Sequence, residues 1–167
     1  MSNQNDSWLV YAKTMANYNQ QMNTRLYDVC TMLPDARLKE DRGAFFKSIH
    51  GTLNHILLAD KVWLGRFTND PFAVSSLAQE LHADFVGLRQ EREQQDQRIV
   101  DWVADLRADI FGEDLTYGPV TSPTPKTLPM WLAVTHFFNH QTHHRGQVTT
   151  LLSQMGIDPG VTDLPFV

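Results

Sequence analysis

Four of the seven histidines fall within nine residues, at His136, His140, His143 and His144. An α-helix turns about 100° per residue, so steps of four drift by only about 40° and place His136, His140 and His144 in a shallow stripe. An i, i+4 histidine pair is a bidentate clamp whose neutral ring nitrogens bind Zn, Ni, Fe or Cu at about 2.0–2.1 Å. The glutamate that follows the first histidine in H-E-x-x-H metalloproteases is Gln141 here, which cannot take a proton, so this is not a protease signature. No G-x-S-x-G, P-loop, G-x-G-x-x-G or paired-cysteine motif is present. Two ligands hold a metal weakly, so a third must come from elsewhere in the chain; His50 and His55 are candidates, and His82 a further one.

The element that carries the stripe runs from about Pro129 to Met155, with proline in its first turn and Gly156 at the left-handed position past its end. Its apolar face is set by Met130, Val134, Phe137, Val148, Leu151, Leu152 and Met155. Projected at about 100° per residue, His144 lies roughly 40° from the centre of that face, His140 roughly 80°, His136 roughly 120° and His143 roughly 140°. His140 and His144 are therefore the pair that reaches inward, His136 is borderline, and His143 faces outward or toward a partner chain.

Three other long helices are expected. The first spans about Ser7 to Leu33, capped by Asp6 or Ser7 and ended by Pro34. The second runs from about Ala44 to Phe67; its apolar residues, from Phe45 and Phe46 to Leu64 and Phe67, widen almost around the helix. Projection does not choose between His50 and His55 on it. The third starts at Ser75 or Ser76 and continues to about Leu106, its charged middle from Arg89 to Arg98 reading as a solvated face. Residues 108–129, rich in proline, glycine and threonine, read as a loop with one small hairpin that pairs Leu115–Tyr117 with a strand near Thr127. The last residues read as an extended tail packed on the surface. The fold class is all-α, a four-helix bundle with an irregular or hairpin insertion between helices three and four, in one domain over 1–167.

Composition bounds the function. The net charge of −5, from 14 Lys+Arg against 19 Asp+Glu, argues against a general nucleic-acid surface. The longest apolar runs, at Trp8 and at Met130, are five residues, where a membrane span needs about 20. The first residues have neither the basic start nor the apolar run of a signal peptide, and Cys30 is the only cysteine; both fit a cytoplasmic location.

The segment Thr52-Leu53-Asn54-His55-Ile56-Leu57 followed by Trp63, the segment from Asn139 to Gln147, and the first-helix residues Ala16–Asn19 and Met22–Leu26 together resemble the DinB family, the helical DinB/YfiT-like superfamily. The likeness covers nearly the whole chain. It implies a four-helix bundle, a homodimer, and one divalent ion per chain (Zn, Ni or Fe) on three histidines, which fall on His55, His140 and His144. Asn54, Trp63, His136 and Arg145 are then candidates for the pocket or for support of the ligands. Three neutral imidazoles leave coordination positions open, the pattern of catalytic sites. The expected function is a metal-dependent thiol transferase or hydrolase that activates a thiol, such as a low-molecular-weight thiol cosubstrate, or water toward a small electrophile. The alternative is a non-catalytic metal-binding or stress-response dimer.

Overall fold

The computed structural model describes residues 4–118, 120 and 124–166. Four long helices carry it: α1 (Gln4–Thr31), α3 (Ile49–Phe67), α4 (Phe85–Ala104) and α5 (Met130–Gln154), with a short α2 (Asp35–Lys39) between the first two. α1 packs on α4 and α5, and α3 packs on the same two, so α1 and α3 stand diagonally across a four-helix bundle. Among the described residues no helix is long and apolar enough to cross a membrane.

The helix boundaries move where local chemistry outweighs periodicity. α1 already includes Gln4, so Asp6 lies in its first turn rather than before it. It stops at Thr31, and Pro34 opens the unforeseen α2, whose Leu38 is buried. α3 begins at Ile49, not Ala44, because Gly43 and Lys47 take left-handed backbone and residues 44–47 fold into a tight bridged turn. The Ser48 side chain then caps the helix by accepting the Gly51 N–H at 3.0 Å. α4 likewise starts at Phe85, where Asp84 accepts the Gly87 N–H at 2.7 Å; the serines at 75 and 76 lie in the coil that crosses from α3.

A 3-10 turn (Ala108–Gly112) and the antiparallel strands β1 (Asp114–Tyr117) and β2 (Lys126–Pro129) form the insertion before α5. Thr116 faces Thr127 across the hairpin, in the expected pairing. α5 ends in a Schellman motif: Gly156 at φ +76° donates to Ser153 O, and the Ile157 N–H returns to Leu152 O. The tail lies along α1, where the Tyr18 hydroxyl donates to Thr162 O at 2.6 Å and Arg25 to Val161 O.

The core is divided along its length. One apolar cluster, with Ala12, Trp63, Ile99 and Phe137, fills one end, and another, with Leu26, Leu53, Leu88 and Leu152, fills the other. Between them all four helices present buried polar side chains. Arg92 pairs with Asp60 at 2.5 Å and with Asp96 at 2.8 Å. Asp96 accepts from Asn19 and Asn23, and Arg145 donates to Asn19. The expected solvated face of Arg89 to Arg98 is therefore corrected at its centre: Arg92, Gln95 and Asp96 are at most 3% exposed. Asp60 on α3 and Asp96 on α4 itself offset the buried Arg92 charge, while the Arg92 Nε has no hydrogen-bond partner among the described residues.

Candidate metal centre

His55 on α3 and His140 and His144 on α5 meet along the seam between these two helices. His55 Nε2 lies 3.3 Å from His140 Nε2, and His144 Nε2 lies 3.2 Å from the same atom. Two imidazole nitrogens each about 2.1 Å from one tetrahedral ion stand about 3.4 Å apart. One ligand atom from each of the three rings lies within 4.8 Å of the others, so the group could hold a single metal ion.

The outer ring nitrogens decide which way the lone pairs face. His55 Nδ1 is 3.0 Å from the carbonyl of Leu77, an oxygen that only accepts, so Nδ1 carries the proton and Nε2 the lone pair. His144 Nδ1 is 2.9 Å from Gln147 Oε1, with the same consequence. A carbonyl behind the ring is the usual support of a metal-ligating histidine. Two lone pairs thus converge on the one nitrogen that His140 presents, and a single shared proton cannot serve both.

The rings are also held neutral. Burial lowers the pKa of His55 to about 4, with the nearby His144 adding to it against the Leu77 bond. Burial, then the His144 and His55 rings, lower that of His140 to about 3. Burial lowers that of His144 as well, opposed by its bond to Gln147. Neutral imidazole is the form that binds metal.

The other expected site residues lie around this triad or away from it. His136 is exposed at the rim, its ring 5.9 Å from that of His140 and 5.0 Å from that of Trp63. Trp63 is buried among Phe67, Tyr117 and the Arg66 guanidinium. Asn54 is a clamp: its Oδ1 accepts the Leu81 and His82 N–H groups, and its Nδ2 donates to His82 O. Arg145 turns into the polar layer of the core, where it meets Asn19 and Gln141. His50, beside Glu80, and His82 stand outside the triad, and the exposed His143 faces Gln147.

Three further contributors lie outside the histidine pattern. Gln147, three residues after His144, is within reach of helical reasoning; the Leu77 carbonyl, in a coil, is not. The third is Phe46, whose ring stacks on that of His55. His55 also lines an open cleft of about 520 Å³ with Phe45, Phe46, Lys47, Gln79 and Glu80. A separate cavity of about 180 Å³ under the tail, lined by Tyr18, Arg145 and Thr162, includes none of the three histidines.

The comparisons with known proteins agree with this architecture. A family model described as DinB family matches residues 1–167. Protein DinB of Bacillus subtilis (strain 168) is 24% identical over 166 residues, covering 92% of this chain and 91% of that protein.

Proposed function

The chain belongs to the DinB family, and we propose that within it the protein is a metal-dependent enzyme acting on a small electrophilic molecule. His55, His140 and His144 would hold one divalent ion, Zn, Ni or Fe. The observation that carries this reading is the convergence of three Nε2 atoms whose ring planes are tied back, in two cases, through Nδ1. Such an ion supplies Lewis-acid activation of a thiol or of water, with open positions left by a three-nitrogen donor set.

The chain's own residues do the rest. The Leu77 carbonyl and Gln147 hold two donor rings in the right tautomer. Burial keeps the three rings unprotonated at neutral pH. The cleft beside His55 is bounded by the phenyl rings of Phe45 and Phe46 and by polar groups of Lys47, Gln79 and Glu80, which suits a small molecule with both apolar and polar parts. The reading includes a low-molecular-weight thiol as cosubstrate and a cytoplasmic homodimer.

Metal analysis of protein purified without a histidine tag tests it, beside His55→Ala, His140→Ala and His144→Ala. We expect near one ion per wild-type chain and none in the variants. A panel of thiols and electrophiles should then show turnover that His144→Ala abolishes. Stoichiometric metal without turnover would leave a binding module, for which sedimentation with and without chelator reads whether the ion sets the assembly.

A further inference from the structure

We propose that Phe46 is a positioning residue for this centre: it fixes the plane of the His55 ring and shields one side of the triad, so that it sets how many solvent ligands the ion takes. The inference rests on the metal reading above. The Phe46 and His55 rings are nearly parallel, 18° apart, with centroids at 3.8 Å. The same phenyl stands edge-on to His144 at 5.6 Å and 65°. One side chain thus touches a donor ring from each of the two helices. With Nδ1 bonded to Leu77 O and one face against Phe46, the His55 ring loses little freedom when it takes a ligand's role.

The backbone that presents Phe46 is built at a cost. Ser48 N–H donates to Phe46 O at 2.8 Å, closing a three-residue γ-turn around Lys47. Lys47 sits at φ +68°, a left-handed conformation that a lysine side chain disfavours. Strain of this kind persists where surrounding contacts over-determine it, and it concentrates at functional sites. The contacts are visible here. Arg42 N–H donates to Lys47 O and Lys47 N–H to Ala44 O, both at 2.8 Å. The Phe46 carbonyl lies so close to α3 that a Cβ on Gly51 would stand 2.3 Å from its oxygen. Glycine at 51 is what lets the turn seat against the helix and bring the phenyl over His55, one turn further on. The adjacent Phe45, 84% exposed, packs edge-on against the Phe46 ring at 4.8 Å, so the control is the exposed Val10 on α1.

The test uses the full chain stripped of metal, with Zn2+ affinity measured against a competing chelator and Co2+ absorption as the report on coordination number. Phe46→Ala is expected to weaken Zn2+ binding by about 10–100-fold, the range seen when a group orienting a ligand is lost. It should also weaken the visible Co2+ bands, as extra water raises the coordination number. Phe46→Leu, which keeps the bulk and loses the flat face, should fall between. Gly51→Ala keeps the phenyl but pushes the turn off α3, and should repeat the Phe46→Ala result. Phe46→Tyr should restore both readouts, and Val10→Ala should leave both unchanged. Folded Phe46→Ala and Phe46→Leu proteins that bind Zn2+ like the wild type with an unaltered Co2+ spectrum overturn the role of Phe46 alone. A wild-type chain that binds neither ion overturns the metal reading, and this inference with it.

Discussion

His55 Nε2 and His140 Nε2 face each other at 3.3 Å, although 85 residues separate them in the chain. One proton on His140 Nε2 serves only one of its two ring neighbours, whereas a cation between the rings would serve all three. A bound ion therefore adds its binding free energy to folding, about 2.7 kcal/mol at a free concentration 100 times Kd. At about 2–4 °C per kcal/mol for a chain of this size, Zn2+ should raise Tm by about 5–10 °C, and chelator should reverse it. Thermal melts of His55→Ala, His140→Ala and His144→Ala should show no such shift; His143→Ala should retain it.

The pH dependence follows from the depressed pKa values of His55, about 4, and His140, about 3. In the unfolded chain these rings take up protons near 6.5, whereas the folded rings resist until far lower pH. Their contribution to stability is thus present above about pH 6.5 and is lost as pH falls toward the folded values. Metal-free protein should lose up to about 1.4 kcal/mol per pH unit for each such ring in that window. Urea melts between pH 7 and 4 check this, and His140→Gln should flatten the profile.

The legible and illegible parts of this site differ for physical reasons. The His140–His144 pair could be read from spacing alone, because neighbours on one helix depend only on helical geometry. His55 could not be chosen over His50 by projection, since 15 of the 19 residues of α3 are buried and such a helix has no single inward direction. The likeness to known sequences chose it, and in the structure His55 meets His140 and His144 of α5. Phe45 and Phe46 continue the helical spacing of α3, yet Gly43 and Lys47 take them out of the helix. The charges of α4 read as solvated because their partners, Asp60, Asn19 and Asn23, lie on other helices.

Those partners make a sharp stability prediction. Asp60 and Arg92 are both almost fully buried; burial pushes the Asp60 carboxyl upward, and the Arg92 guanidinium pulls it back. Asp60→Ala leaves a buried cation short of its partner, which costs about 3–5 kcal/mol. Tm should fall on the order of 10 °C in scanning calorimetry. Exposed pairs such as Lys39–Asp35 should cost under about 1 kcal/mol when broken.

Asn54 offers a test of action through a loop. Its amide holds Leu81 and His82, and the same coil carries the Leu77 carbonyl that tethers His55. Asn54→Ala should cost about 1–3 kcal/mol for the unpaired backbone groups. Hydrogen exchange at Leu81 and His82 should accelerate, and Zn2+ affinity should drop although residue 54 touches none of the three rings.

The buried polar side chains also link the two arms of the triad by a route that never passes through the three rings. From Arg145, next in sequence to His144, contacts run through Asn19, Asp96 and Arg92 to Asp60, a little over one turn beyond His55. If α4 slid by one turn, about 5.4 Å, Arg92 and Asp96 would face the leucines and isoleucines on either side. The chain of charges thus acts as an alignment pin. It admits one longitudinal setting of the helices, and in that setting three distant imidazoles arrive at the same height.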